Sequence, residues 1–146
     1  MKITTATNAL HQPCLTWYCD ACGEPIADGE GYLEVSVTEA NAVRQAWKDA
    51  RKAKQRESGC VVWSGGELAA MPDQAPWMAW HSRCDPNPDG SGYWFWVERC
   101  RTAAQLLDWT AHLAGKSWFK HTSWTSLLYG VPGVGGATHV RSGGVT

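Results

Sequence analysis

Cys19-Asp20-Ala21-Cys22-Gly23 and, after 58 intervening residues, His81-Ser82-Arg83-Cys84 are the stretches whose reading decides the fold. Each sets two metal-ligating side chains either side of two other residues. That spacing lets both donors of a pair converge on one ion from a single tight turn, with zinc–sulfur bonds of about 2.3 Å. Gly23 follows the second thiol, where the backbone has to turn under the metal. Together Cys19, Cys22, His81 and Cys84 form a Cys3His set, a closed arrangement common in structural zinc sites. The expectation is therefore one structural zinc ion per chain. The long loop it closes costs entropy that grows only logarithmically with length. Structural zinc contributes on the order of 10 kcal/mol in finger peptides, which exceeds that cost.

A rival set is visible. His11 and Cys14 form another His-x2-Cys pair just before Cys19. A site from His11, Cys14, Cys19 and Cys22 is local in sequence, but it lies in the least patterned part of the chain and leaves His81 and Cys84 unused. Cys60 and Cys100 flank strand signals and read as buried free thiols. The chain has no apolar run long enough to span a membrane and no apolar segment near its start to act as a secretory signal. It is expected in the cytoplasm, where six cysteines argue for metal or free thiols and against disulfides.

Outward from the ligand pairs the pattern is mixed. Tyr32 to Val37 alternates, with Leu33, Val35 and Val37 on one face, as in a half-buried strand. Glu39 to Glu57 is the clearest helix, with Ala40, Val43, Trp47 and Ala50 as its apolar stripe. Val61-Val62-Trp63 reads as a short strand before a Gly-Gly turn, Trp77 to Trp80 as a strand into the second ligand pair, and Tyr93 to Glu98 as another. Thr102 and Gln105 have capping-box spacing at the head of a helix running to Ala114, with Ala103, Leu106, Leu107, Thr110, Leu113 and Ala114 inward. Trp124, Leu127 and Leu128 mark a last short helix. The fold class is α+β: a small zinc-stabilised domain over residues 17–130 with short antiparallel strands and two to three helices. Residues 1–16 read as a flexible arm and residues 131–146, five of them Gly, as a disordered tail.

Two surface features bear on function. The chain carries ten Trp against two Phe. That is a lot to hide in a small core, so two or three are expected to be partly exposed, with Trp94 and Trp96 as partner-binding candidates. Arg44, Lys48, Lys52 and Arg56 recur every fourth residue, with Arg51 and Lys54 beside them, in a chain whose net charge is only −1. This face is a solvated helix surface or a phosphate-contacting patch.

The segment Cys19 to Ile26 followed by Trp80-His81-Ser82-Arg83-Cys84 resembles the first zinc module of LIM domains, which implies a protein-binding surface. The second LIM module is absent and the spacing between the pairs is longer. The Trp-, Ala- and Gly-rich composition and the segment Leu107 to Trp118 are similar to small zinc-knuckle proteins of actinobacteria and their phages. Catalytic signatures are missing: Tyr18 stands where zinc deaminases have Pro, and there is no His-x-Glu, no His-Glu-x-x-His and no phosphate loop. The expected function is a structural-zinc module that binds a protein partner. The alternatives are nucleic-acid binding through the basic helix and an enzyme of unrecognised type. No small-molecule substrate and no membrane contact is expected.

Overall fold

Gly31–Val35, whose residues alternate between buried and half-buried, is the central strand of a three-stranded sheet. The computed structural model describes residues 1–7, 13–129 and 140–141, which form an α+β fold of two antiparallel sheets and four helices. The strands are β1 (Lys2–Thr7), β2 (Pro13–Tyr18), β3 (Gly31–Val35), β4 (Trp77–His81), β5 (Tyr93–Trp96) and β6 (Val140–Arg141). The helices are α1 (Val37–Ser58), α2 (Gly65–Ala69), α3 (Ala103–Ala114) and α4 (Trp124–Tyr129). One sheet has the order β2-β1-β6 and the other β4-β3-β5. No helix among the described residues is long and apolar enough to cross a membrane.

In the second sheet Leu33 lies opposite Ala79 and Phe95, and Val35 opposite Trp77 and Tyr93. Leu33, Val35, Trp77, Ala79 and Phe95 are all buried on one face. Trp124 of α4 packs edge-on to Trp77 at 4.9 Å between ring centroids, and Trp109 of α3 stacks on Phe95 at 4.0 Å. A buried indole needs a partner for its N–H. Trp17 donates to the Cys100 carbonyl at 2.7 Å, Trp77 to Thr122 Oγ1 at 3.1 Å and Trp124 to Thr110 Oγ1 at 2.9 Å. The core is thus built from indoles whose polar ends are individually satisfied.

Residues 2–7 and 13–16, which fall in the expected loose arm, lie in strands. Ile3 pairs opposite Trp17 across the β1–β2 hairpin, and both are buried with Met1 and Leu15. The Leu15 N–H donates to the Arg101 carbonyl at 2.6 Å, and the Arg101 guanidinium returns to the Ile26 carbonyl at 2.7 Å and to Asp28. A polar, threonine-rich strand shows no clear pattern, yet Met1 and Ile3 are both buried and the terminal amine pairs with Asp20 at 2.8 Å. Val140 and Arg141 add to the other edge of β1, so this part of the expected tail is paired. The remaining tail residues, like His11, lie outside the described residues.

Other expectations shift in detail. Val61-Val62-Trp63 is not a strand: Val62 is 69 % exposed, and the following Gly pair opens α2, where Ser64 and Glu67 complete a capping box. Only the first two turns of α1 cover the core, through Ala40 and Val43. Beyond them Trp47 leaves the core and meets Trp63 edge-on, while Lys54 pairs with Glu67 to hold α2 beside α1. On α3 Leu107 is exposed and Trp109 takes its place inward. Four tryptophans are buried, five are half-buried and Trp94 is exposed, so more of them reach the surface than expected. Replacing Ile3 by Ala is expected to destabilise the chain by about 2–5 kcal/mol in denaturant unfolding, as for a core residue. A change below about 0.5 kcal/mol would restore the loose-arm reading.

Candidate metal centre

Cys19 sits just past β2, and the chain then turns back on itself. The Gly23 N–H donates to the Cys19 carbonyl at 2.9 Å, the Cys19 N–H to the Glu24 carbonyl at 2.9 Å, and Ile26 returns to pair with Trp17. Gly23 has φ 77°, in the left-handed region that a residue with a Cβ rarely adopts. On the other side His81 ends β4 and the Cys84 N–H donates to the His81 carbonyl at 2.8 Å, closing the second turn. The two turns are locked together by Asp20. Its carboxylate accepts from the Ala79 N–H at 2.7 Å, and its own N–H donates to the Ala79 carbonyl at 2.8 Å.

The result brings Cys19, Cys22, His81 and Cys84 together, with their donor atoms all within 4.8 Å of one another, close enough to hold one metal ion. His81 Nδ1 is 3.4 Å from Cys22 Sγ and 3.9 Å from Cys84 Sγ. A tetrahedral ion with ordinary zinc bond lengths would set nitrogen and sulfur about 3.6 Å apart. The other ring nitrogen, Nε2, lies 3.1 Å from the Pro25 carbonyl. A proton on Nε2 donates to that carbonyl, which fixes the tautomer and leaves the Nδ1 lone pair facing the three sulfurs. Four protein donors complete a four-coordinate shell.

Local electrostatics favour the thiolate at Cys19. Burial raises the Cys19 thiol, but the backbone N–H groups of His81, Cys22 and Ala21 aimed at its sulfur lower it by more, to about 7. Cys84 is pushed up by burial and by the neighbouring Cys22 and Cys19 sulfurs. Three sulfurs this close repel once ionised, and a divalent cation among them removes the repulsion.

The fit also depends on residues the motifs do not show. Gly31 lies opposite His81 across β3 and β4, and a Cβ there would come within 2.0 Å of the Trp80 carbonyl oxygen. The 58 residues between the ligand pairs are not an appended insertion, because β3 supplies the pairing partner of the strand that carries His81. Asp20 and Gly31 stand next to recognisable signals. Nothing in the sequence marks Pro25 or Arg101. Cys14, in β2 opposite Ala6, is not part of the cluster. Cys60 is exposed, against expectation, because the segment around it is not a strand; Cys100 is buried, and burial raises its thiol to about 12.

The other candidates fall elsewhere. Trp94 and Trp96 lie on β5, and Arg44, Lys48, Arg51, Lys52 and Arg56 on α1. His112 is exposed on α3, with Nε2 2.9 Å from the Tyr93 hydroxyl. Compared with known protein-family models, curated proteins and solved structures, the chain shows no match.

Cys84→Ser is expected to release the metal and lower stability, while Cys14→Ser does neither. Each hundredfold loss of affinity at saturating metal withdraws about 2.7 kcal/mol of folding free energy. Metal content by atomic emission together with denaturant unfolding checks both. Full occupancy in the Cys84 variant with loss in the Cys14 variant would point to the local set instead.

Proposed function

We propose that the chain is a zinc-stabilised binding module whose partner is a polypeptide segment added to the edge of β5. Zinc is the ion this donor set suits: three thiolates and one imidazole in a closed four-coordinate arrangement. Such a shell leaves the metal no open position for substrate, which favours a structural role over a catalytic one.

The observation that carries the binding surface is the condition of β5. It is an edge strand, paired with β3 on one side only. Among the described residues its backbone makes no hydrogen bond to any element other than β3. Open edges invite another strand, and natural proteins usually block them. Here the edge carries Trp94, 50 % exposed, where a blocking charge would be expected. The Trp94 ring is held in place by Tyr32 at 5.5 Å and by Trp96 at 5.5 Å between centroids. A preset aromatic anchor beside unpaired backbone groups is the arrangement that strand addition uses, with the main chain giving affinity and alternate side chains giving specificity. The opposite edge of the sheet is unsuited, since β4 is already bonded to Asp20 and Ser123. The likeness of the ligand pairs to a LIM zinc module points the same way.

A photo-reactive residue at position 94 is expected to cross-link to a discrete polypeptide in cells, and one at the more exposed Leu107 to give none. Trp94→Ala with the probe moved to position 96 should abolish the adduct while metal content stays unchanged. Equal labelling from positions 94 and 107, or a cross-link only within the chain itself, would contradict the reading.

A further inference from the structure

The basic helix does not present its charges evenly to solvent. Arg44, Lys48 and Arg51 stand at i, i+4 and i+7 and form one wall of a cleft of about 810 Å³. The facing wall comes from the chain after α3 and contributes Lys116, Lys120 and His121. Lys52 and Arg56, which the regular fourfold spacing groups with Arg44 and Lys48, do not line it. Two elements distant in sequence thus contribute basic residues to one lining, an arrangement invisible to helix periodicity, although the Lys116 ammonium lies over the Tyr93 ring at 5.6 Å from its centroid.

No carboxylate lines this cleft. Of the three acidic residues on α1, Asp49 accepts a hydrogen bond from Gln45 within the helix, Glu39 lies in the first turn, and Glu57 lies in the last turn near Lys54; none lines the cleft. The one carboxylate paired with a helix cation, Glu67, holds Lys54, which is not in the cleft. Half-buried His121 reports the convergence: its imidazole is held below the ordinary value by burial and then by Lys120, Arg44 and Lys48, cations from both walls. Gathering like charges without counter-charges costs free energy and focuses a positive potential in the cleft, which an anionic ligand would relieve. Two aromatic rings, Trp47 and Phe119, share the lining.

We propose that this cleft binds the backbone of a single-stranded nucleic acid, with phosphates on Arg44, Lys48, Arg51, Lys116 and Lys120 and a base against Trp47 or Phe119. Five fixed cations exceed what one small anion needs and match a run of phosphates. The volume is large for a lone phosphate and lies in the range that takes a nucleotide-sized ligand. Aromatic faces between cations offer stacking to any unpaired base, the combination by which single strands are held without sequence preference. A duplex hides its base faces and gains nothing from these rings. The site uses different elements from the β5 edge, so it stands or falls independently of the protein-docking reading.

The test is fluorescence anisotropy of the full chain with a labelled oligothymidylate. If all five cations engage, the association constant should fall by about a hundredfold between about 50 and 200 mM salt, since each phosphate contact contributes about 0.7 to the logarithmic salt slope. The variant Lys116→Gln/Lys120→Gln should bind more weakly at low salt and lose only about twentyfold over the same range. Lys52→Gln/Arg56→Gln, which removes as much charge from the same molecule, should behave as wild type. Circular dichroism and metal content confirm that each variant is folded. On binding, the His121 imidazole should titrate at higher pH by proton NMR, as phosphate charge offsets the cations around it. No binding at low salt, equal loss in the two double variants, or a duplex bound as tightly as the single strand would each overturn the proposal.

Discussion

Three thiols and one imidazole, carried by the turn after β2, the last residue of β4 and the turn that follows it, have their donor atoms within 4.8 Å of one another. That convergence joins the two sheets. Without it β2 leads out of one sheet and β4 sits in the other, connected chiefly by Asp20 and by the packing of Trp17 and Ile26. A metal there would convert a long, entropically costly closure into a single rigid corner. The surroundings are shaped for it. Pro25 sets the tautomer of His81, amides aim at the Cys19 sulfur, and Gly31 lets the neighbouring strand pass without collision.

Away from that corner the core follows a second constraint. Large rings share the core with the aliphatic residues, and the buried indoles of Trp17, Trp77 and Trp124 each place their N–H on a specific acceptor. Those acceptors are themselves structural: Thr122 lies in the bridge beside β4, Thr110 on the inner side of α3, and the Cys100 carbonyl next to Arg101. Position and identity are thereby coupled, because shifting any one element would leave an unsatisfied donor in the core. Arg101 extends the same logic to the surface: its guanidinium ties β2 to the segment after the first ligand turn, and its backbone N–H donates to Gln105 in the first turn of α3.

Much of this was legible from residue order alone. The ligand pairs, the alternation of β3, the capping box of α3 and the apolar run of β4 each carry a local pattern tied to a local cause. What was not legible depended on tertiary partners. The β1 strand has almost no apolar signal and is held by pairing with β2. Val61 to Trp63 has the composition of a strand but no neighbour to pair with. Leu107 is exposed while Trp109 turns inward to stack on Phe95, a tertiary contact that periodicity cannot foresee. The cleft beside α1 is the same kind of case, since two of its five cations come from a segment more than sixty residues away.

The metal corner leaves the remaining surface free to differ, and the open edge of β5 and the cleft beside α1 are where it does. Both readings presuppose the corner, so its composition is the first thing to establish. X-ray absorption at the zinc edge on the purified protein measures it directly. The account predicts one zinc per chain with three sulfurs at about 2.3 Å and one nitrogen at about 2.0 Å. A shell with two nitrogens, a shell completed by water oxygen, or a protein that folds fully without any bound metal would contradict it.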